Sequence, residues 1–409
     1  MSTIRERYQA LKGLGLNLNL TRGQPGDDNF DLSNGMLAVL DDKHLVTPSG
    51  VAIRNYPGGI AGIREARELF GNVIGVTADE TLVGNNSSLA LQGKILMWAL
   101  LVGVVGSPAP WSRGPVKFIV TVPGYDRHFT MLEKLGIEML PVPVTPTGPD
   151  MDQVERLAAS DASVKGLIFV PTYSNPTGDT VSDATVDRLA TMKTAAPDFT
   201  ILADDAYVVH HLTDHPPQPK NLLRACEAAG NPNRVVIFGS TSKITFAGSG
   251  IGFMGCSRDN IAHFGKLMGT QSIGPNKVEQ YRHVLFLDSI EGGVTGLMKR
   301  HAALLRPKFA AVQETLETVL GGKDLAAWSK PLGGYFVSLD TKKPVAERVV
   351  ALAKEAGVAL TPAGATYPHG RDPNNANIRI SPTRPPLADV KKAMEVVAVC
   401  VELASEEAD

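Results

Sequence analysis

The segment with the strongest chemical signal is Ser240-Thr241-Ser242-Lys243, which follows an apolar run at 234–238 and precedes a glycine-rich stretch at 248–252. A lysine among small hydroxyl residues, just beyond a buried strand, can be neutral and nucleophilic towards an aldehyde. The alternative is a solvated surface charge, the usual state of any one of the 40 lysines and arginines. The residues at the ends of the other predicted strands help to decide between these two interpretations.

Three further polar segments follow apolar runs that have the length of buried strands. They are Pro123-Gly124-Tyr125-Asp126-Arg127-His128, Asn175-Pro176-Thr177-Gly178 and Asp204-Asp205-Ala206-Tyr207. In open parallel α/β sheets, ligands bind at the carboxyl ends of the strands. We therefore expect a lysine, an acid, an amide and aromatic rings to meet in one region. Each segment alone could instead be a turn, a solvated loop or a packing residue.

The apolar runs also predict the sheet that would position these segments. They are continuous rather than alternating, which is typical of strands buried on both faces. The five runs lie at 118–122, 166–170, 200–203, 235–238 and 251–256. Stretches long enough for helices, such as Asp183–Lys193, separate them. The pattern predicts a large, doubly wound, mostly parallel α/β domain over residues 41–295.

A smaller α+β domain is predicted over residues 296–409. Apolar residues recur there at helical spacing, at Leu305, Val312, Leu316 and Val319. Pro307 would kink or break that helix near its start, and strands are expected at 334–339 and 377–381. Residues 1–40 are interpreted as an N-terminal arm or lid and part of the smaller domain.

Within residues 41–295, a further helix with buried Ile63, Ala66 and Phe70 is expected to end at Gly71.

Composition excludes several classes of function. The chain has 409 residues, 43% hydrophobic and 20% charged, which is ordinary for a soluble globular protein. A net charge of −2 would not attract nucleic acid or an anionic membrane, so we expect a small-molecule partner. Three scattered cysteines without CxxC spacing indicate a reducing compartment. His210, His211 and His215 lack accompanying ligand spacing, so we expect no metal site.

The protein is expected to be cytoplasmic. The first residues are charged and lack the apolar core of a signal peptide. The most apolar stretch, residues 95–106, is too short to cross a bilayer and is predicted to be a buried helix.

In combination and order, these segments resemble the class I aminotransferases among the fold-type I pyridoxal-phosphate enzymes, over nearly the full length. The matching features are a tyrosine-containing glycine turn around Tyr56, a phosphate loop at 86–88, a stacking aromatic at Tyr125, NPTG, D-x-x-Y, S-x-S-K and an arginine-bearing strand near the C-terminus. The resemblance implies the fold-type I transferase fold, with a large doubly wound domain and a smaller α+β domain.

The resemblance also implies roles for residues around pyridoxal phosphate. Lys243 would hold the cofactor as a Schiff base and then move a proton between the substrate Cα and the cofactor C4′. Asp204 would face the pyridine nitrogen and keep it protonated, whereas Asp205 is taken as structural. Asn175 and Tyr207 would hydrogen-bond the oxygen at C3, and Tyr125 would stack on the ring.

The phosphate would lie at a helix N-terminus opened by Ser87 and Ser88, which can also cap that helix. Ser240 and Ser242 would add hydroxyl donors. Tyr56 resembles a residue that reaches the phosphate across a dimer interface, which implies a homodimer with shared active sites.

Four residues are implied for substrate: Gly23, Arg127, Asn175 and Arg379. Arg379, between two isoleucines, matches the arginine that binds the α-carboxylate through a planar fork; the alternative is an exposed arginine on a sheet. Arg127 could pair with a distal carboxylate, or be a surface arginine paired with Asp126. His128 is expected to contact residues that bind the ligands, rather than the ligands themselves.

One departure separates this chain from the best-known aspartate aminotransferases. The family pattern places a phosphate-binding arginine after the lysine in a G-x-R-x-G run, but residues 248–252 here read Gly-Ser-Gly-Ile-Gly. Ser249 and backbone amides would have to balance the phosphate. In this respect the chain resembles the divergent bacterial aspartate aminotransferase subgroup called MocR-like.

The expected function is therefore amino transfer from L-aspartate to 2-oxoglutarate by a ping-pong mechanism. Within enzymes the alternatives are transfer from alanine, aromatic amino acids or kynurenine, and a pyridoxal-phosphate β-lyase. A regulator that senses the cofactor or an amino acid is the alternative from another class. The residues before the large domain lack a basic helix-turn-helix pattern, which argues against a regulator.

Overall fold

The computed structural model describes residues 3–56 and 59–408, and it divides them into thirteen helices of α type and thirteen strands. The helices are α1 (Ile4–Lys12), α2 (Asp27–Asp31), α3 (Arg64–Ile74), α4 (Ser88–Leu101), α5 (Asp126–Lys134), α6 (Met151–Ser160), α7 (Asp183–Thr191), α8 (Leu222–Ala228), α9 (Arg258–Met268), α10 (Lys277–Ser289), α11 (Gly293–Leu320), α12 (Ala346–Glu355) and α13 (Leu387–Glu407). The strands are β1 (Leu18–Asn19), β2 (Thr81–Val83), β3 (Lys117–Val122), β4 (Glu138–Thr145), β5 (Gly148–Pro149), β6 (Val164–Phe169), β7 (Thr200–Asp204), β8 (Val235–Ser240), β9 (Gly252–Cys256), β10 (Ala326–Trp328), β11 (Val337–Thr341), β12 (Val358–Ala359) and β13 (Asn377–Ile380).

The five predicted apolar runs form the centre of an eight-stranded sheet with the order β2-β9-β8-β7-β6-β3-β4-β5. Strands β4, β3, β6, β7 and β8 are parallel to one another. Strands β9, β2 and β5 join antiparallel at the margins. The prediction of a doubly wound, mostly parallel sheet is confirmed.

Both faces of this sheet are buried because successive side chains of each strand point to opposite sides. One face packs beneath α3, α6, α7, α8 and α10, and its strand residues include Ile119, Leu167, Ile201 and Ile237. The other face packs beneath α4, α5 and α9, and its strand residues include Phe118, Ile168, Leu202 and Phe238. Burial on both sides explains why the runs are continuously apolar.

A second core lies around the three-stranded antiparallel sheet β10-β11-β13. Helices α11, α12 and α13 cover it. Tyr8, Leu11 and Leu20 are buried in the same core, and β1 pairs in parallel with β12. The segment that precedes the large sheet is thus packed against the smaller core; its action as a lid stays a prediction, as do the proposed domain boundaries.

Two predicted helix ends are wrong. Helix α3 continues through Gly71 and ends at Ile74, where Gly75 has φ +73°. A Cβ on Gly71 would lie 2.6 Å from Thr81 Oγ1, so this glycine serves close packing rather than termination. Pro307 lies inside α11, which begins at Gly293, rather than near the start of a helix. Burial of the helix on both sides of the proline, at Leu305 and Phe309, outweighs the hydrogen bond that proline cannot make.

The predicted glycine turn around Tyr56 includes Pro57 and Gly58, which lie outside the described residues. Across 3–56 and 59–408, none of the helices combines the length and apolar character needed to cross a membrane.

Candidate active site

The predicted site residues that follow β3, β6, β7 and β8 lie at the carboxyl edge of the parallel strands. Strand β3 is followed in the chain by β4 on one side of the sheet, whereas β6, β7 and β8 extend it on the other side. The order in which successive strands are added therefore reverses between β3 and β6, although these two strands are parallel, and such a switch point opens a crevice at the strand ends. Tyr125 follows β3 and Asn175 follows β6, so they flank this crevice.

Asp204 ends β7 and is buried against His128 of α5. The His128 Nε2 and Asp204 Oδ2 atoms are 2.9 Å apart, and the two side chains are 4% and 5% exposed. The ring of Tyr125 meets that of His128 edge-on, with centroids 5.0 Å apart. Among the described residues, Asp204 Oδ1 has no hydrogen-bond partner although it is buried. One carboxylate oxygen is thus held by His128, and the other is left for a donor that the chain does not supply.

Lys243 lies against aromatic rings. Its Nζ is 5.2 Å from the ring centroid of Tyr207 and 5.9 Å from that of Tyr335. Burial lowers the pKa of Lys243 from its usual value, and the charge of Asp204 opposes this shift only in part. The lysine is therefore closer to the neutral, nucleophilic form than a surface lysine would be.

Tyr125 and Tyr207 remain protonated phenols near neutral pH. Burial raises the pKa of Tyr207 well above its usual value, and burial raises the pKa of Tyr125 in the same direction. The Tyr207 side chain is 4% exposed. A neutral phenol can donate a hydrogen bond to an oxygen that carries negative charge.

The loop at 84–88 and the glycine-rich stretch form one cup. Asn86 Nδ2 donates to the carbonyls of Ala247 and Gly248, at 3.3 Å each. Ser87 has φ +79° and caps α4 by accepting from the Ala90 amide. A Cβ on Gly252 would lie 2.5 to 2.7 Å from the Ser87 and Ser88 backbone, so only glycine permits this approach.

The missing arginine has a steric explanation. A Cβ on Gly250 would lie 2.7 Å from Ser242 Oγ and 3.1 Å from the Phe246 carbonyl, so a long side chain has no space to begin there. Ser240 Oγ donates to Ser242 Oγ at 2.9 Å, which places both predicted hydroxyls side by side. The cup is lined by hydroxyl groups and backbone, without an arginine at this position.

Arg379, in β13, extends from the smaller sheet to the same crevice. Its Nη1 is 2.9 Å from Asp126 Oδ1 and 3.3 Å from Asn175 Oδ1. Its guanidinium carbon lies 5.0 Å from the ring centroid of Phe336, and the residue is 6% exposed. A Cβ on Gly23 would lie 2.3 Å from the Phe336 ring, so Gly23 packs against the ring that contacts Arg379.

Between described residues, no side-chain hydrogen bond, ion pair or ring contact joins Arg127 or Tyr56 to this cluster. Arg127 is exposed in the first turn of α5, and Asp126, its suggested partner, pairs with Arg379 instead. Tyr56 is 70% exposed, and its carbonyl accepts from Lys277 Nζ at 3.0 Å.

Sequence reasoning missed the aromatic pair Tyr335 and Phe336, which face Lys243 and Arg379. Their signal was present as two adjacent aromatic residues after Gly333-Gly334, but nothing local distinguishes it from a core strand. Within the described chain, no group of three or more histidine, cysteine, aspartate or glutamate residues could hold a metal ion.

The residues present fit pyridoxal phosphate. The unpartnered Asp204 oxygen suits a protonated ring nitrogen, and Lys243 supplies an amine with a lowered pKa. The cup at 84–88 and 248–252 has the backbone proximity and the helix N-terminus that a phosphate group favours.

Comparison with known proteins finds a matching family model, similar sequences and similar structures. The family model described as "Aspartate amino-transferase" matches residues 1–409. A protein of Mycolicibacterium smegmatis described as an aminotransferase is 48% identical over 407 residues, which cover 99% of this chain and 95% of that protein. The aspartate aminotransferase of Corynebacterium glutamicum is 44% identical, over 99% of this chain and 93% of that protein. The crystal structure of an aspartate transaminase from the same organism matches with a TM-score of 0.96 at 44% identity, over 99% of this chain and 95% of that chain.

Proposed function

The chain belongs to the aspartate aminotransferase family and is an aminotransferase; we propose that it transfers amino groups from L-aspartate to 2-oxoglutarate in a ping-pong cycle, with pyridoxal phosphate held at Lys243. The observation that carries this proposal is the meeting of Lys243 and Arg379 through one set of aromatic rings. Lys243 Nζ lies against Tyr207, whose ring is 6.4 Å from that of Phe336, and Phe336 lies against Arg379. The Lys243 amine and the Arg379 guanidinium, which would bind a carboxylate, therefore lie in one crevice.

When bound, pyridoxal phosphate supplies an aldehyde that links to amines and a ring that accepts electrons from the substrate Cα. Asp204 would keep the ring nitrogen protonated, and its Oδ1 is free to do so because His128 occupies only Oδ2. The Tyr207 phenol and the Asn175 amide would hydrogen-bond the oxygen at C3. Lys243 would hold the cofactor through its amine and would act as the general base that takes the proton from the substrate Cα.

Arg379 binds the α-carboxylate of the substrate in this proposal. Its guanidinium is buried, stacked on Phe336 and held by Asn175, so its orientation is set before substrate arrives. A planar fork of donors matches a carboxylate in two hydrogen bonds. Gly23 leaves the space that the Phe336 ring occupies, and it would contact the substrate from the N-terminal segment.

Arg127 is proposed to pair with the distal carboxylate of aspartate. It is exposed beside the crevice, and its charge acts on Tyr125. Asp126 is already paired with Arg379, so it does not neutralise Arg127 through an ion pair of its own.

We also propose a cytoplasmic homodimer with shared active sites. The exposed ring of Tyr56 supports this, since a second copy would cover it and bring it to the phosphate of the partner's site. The described cysteines, Cys226, Cys256 and Cys400, are all unpaired and buried, which suits a reducing compartment.

A single half-reaction tests the function. The cofactor-loaded protein is mixed with L-aspartate, L-alanine, L-phenylalanine or L-kynurenine without any keto acid, and the decay of the absorbance of the bound cofactor is followed. Fast decay with aspartate and slow decay with the others is expected. Absence of decay with every amino acid, in protein that holds the cofactor, would favour a lyase or a sensor and overturn the proposal.

Arg127→Ala is compared with Arg300→Ala, which removes an exposed arginine from α11. The first variant is expected to slow the reaction with aspartate by roughly tenfold, about the value of one charge-assisted contact, and to leave alanine unaffected. The second should change neither.

A further inference from the structure

Three buried histidines surround Thr241–Thr245, the turn that carries Lys243. They come from three separate elements, because His210 follows β7, His283 lies in α10 and His301 lies in α11. Their exposed fractions are 3%, 0% and 1%. None of them contacts the substrate or cofactor in the mechanism proposed above, so their burial beside this turn needs an explanation.

His301 holds the backbone directly after Lys243. Its Nε2 is 3.0 Å from the carbonyl oxygen of Ile244. A carbonyl only accepts, so Nε2 carries the hydrogen and Nδ1 is left as an acceptor. The Asn29 Nδ2 group, 3.0 Å from Nδ1, donates to it. One tautomer of His301 therefore satisfies both neighbours, and it connects α2 to the lysine-bearing turn.

His283 holds the same turn from α10. Its Nδ1 is 2.9 Å from the Glu279 carbonyl and must donate to it. Its Nε2 therefore accepts a hydrogen from a threonine hydroxyl, and Thr241 Oγ1 and Thr245 Oγ1 lie 3.1 Å and 2.9 Å away. These two threonines stand on either side of Lys243.

His210 completes the arrangement at Lys243 itself. Its Nε2 lies 3.4 Å from the Lys243 carbonyl, which the Tyr335 hydroxyl also approaches, at 3.5 Å. Burial lowers the pKa of His210 to about 3 and the pKa of both His283 and His301 to about 4. All three imidazoles are thus uncharged near neutral pH. Partners on both nitrogens set the tautomers of His283 and His301, whereas His210 has a partner at Nε2 only among the described residues.

We propose that His283 and His301, assisted by His210, are positioning residues that hold the Lys243 turn and so keep the amine among the aromatic rings, where its reactivity is set. The physical reason is that Lys243 is attached through a flexible stem, so its depth depends on the backbone that carries it. A displacement of about 1 Å in a reacting group can cost on the order of 100-fold in rate. The inference rests on the proposed function only in naming Lys243 as the reactive amine.

The test measures the amine itself, in cofactor-free protein. Lys243 is labelled with limiting acetic anhydride at a series of pH values, and its acetylation is quantified by mass spectrometry of the peptide. His301→Leu and His283→Leu are expected to move the titration of Lys243 towards that of free lysine. A rise of about one pKa unit lowers the free-amine fraction, and hence labelling near neutral pH, about tenfold.

Conservative and control variants separate positioning from general damage. His301→Gln retains a donor for Ile244 and an acceptor for Asn29, so it should label within about twofold of wild type, a factor worth less than one ordinary hydrogen bond. His263→Leu is the matched control, because His263 Nε2 also contacts a backbone carbonyl, that of Gly103 at 3.0 Å, but in the α9 region. It should leave Lys243 unchanged.

If a leucine variant does not fold, Asn29→Ala and His301→Gln test whether the histidines position Lys243. Asn29→Ala removes the donor that selects the His301 tautomer, and it should shift Lys243 in the same direction by a smaller amount. The inference is overturned if folded variants titrate Lys243 as wild type does, or if His301→Gln loses as much as His301→Leu. Wild-type protein that keeps the low Lys243 titration but fails to bind pyridoxal phosphate would overturn the proposed function and leave the histidine arrangement intact.

Discussion

Arg379 and Asp126 form an ion pair between the smaller sheet and helix α5, with Nη1 and Oδ1 2.9 Å apart. Asp126 begins α5 directly after β3, and Arg379 lies in the middle of β13. The Asp126 side chain is 34% exposed, and the Arg379 side chain is 6% exposed. The guanidinium proposed to bind the substrate carboxylate is thus already paired with a carboxylate of its own chain.

Asp126→Asn is therefore expected to lower KM for L-aspartate. Substrate would no longer compete with a charged group, and partly exposed ion pairs are worth up to about 1 kcal/mol, or about fivefold. Steady-state kinetics and substrate-analogue binding would check this. A raised KM would show instead that Asp126 holds Arg379 in its productive orientation.

Arg379→Lys should raise KM for every amino acid. Lysine keeps the charge but loses the planar fork and the stacking on Phe336. The loss of a charge-assisted hydrogen bond, about 1.5–3 kcal/mol, corresponds to roughly 10- to 100-fold. The absorbance of the bound cofactor should stay as in wild type. Arg371→Lys, at an exposed position, is the control and should change nothing.

Lys243→Ala should abolish the covalent retention of the cofactor after borohydride reduction. The loss of the general base should slow transamination by about 100-fold to 10,000-fold or more. Peptide mass spectrometry locates the reduced cofactor in wild type. Lys299→Ala, which removes an exposed lysine from α11, should retain both properties. Transamination at the wild-type rate without Lys243 would falsify the mechanism.

Gly252→Ala is expected to weaken cofactor binding. The new Cβ would lie 2.5 to 2.7 Å from the Ser87 and Ser88 backbone, which must shift and open the cup. Gly248→Ala is the matched control, since a Cβ there would meet nothing within 4 Å. Titration of cofactor-free protein with pyridoxal phosphate should show a raised Kd for the first variant alone. Equal affinities would indicate that the phosphate does not use this cup.

Asp205→Asn should stabilise the cofactor-free protein more strongly as pH rises. Burial raises the pKa of Asp205 to about 7 in the folded chain, whereas in the unfolded chain it ionises near pH 4. Between these values unfolding releases a proton, so the wild type loses stability as pH rises from about 4 to about 7.

The stability difference between variant and wild type should therefore grow over that window and stay constant above it. Denaturant unfolding at several pH values measures the difference. Asp161→Asn provides the contrast, because hydrogen bonds from Ser163 hold the pKa of Asp161 at about 2. Its stabilising effect is fully present above the unfolded pKa, so that difference should not change between pH 5 and pH 7.

Much of the candidate active site follows from short segments of the sequence, because each segment lies at the end of a predicted strand. Asp204 ends β7 and the lysine segment ends β8, as the continuous apolar runs indicate. The carboxyl ends of neighbouring parallel strands share one edge of a sheet, so their polar residues had to meet. The doubly wound fold followed from the same runs, because only strands covered on both faces are apolar throughout.

The tertiary structure alone decided how these residues are held. The ion pair of Arg379 with Asp126 joins positions 253 residues apart, and the contact of His301 with Ile244 joins positions 57 residues apart. No local pattern distinguishes these groups from any other arginine, aspartate or histidine. Their partners are set by how two sheets and α11 pack, and burial in that packing shifts the pKa values. The helix end misplaced at Gly71 has the same origin, since close packing against Thr81 selects that glycine.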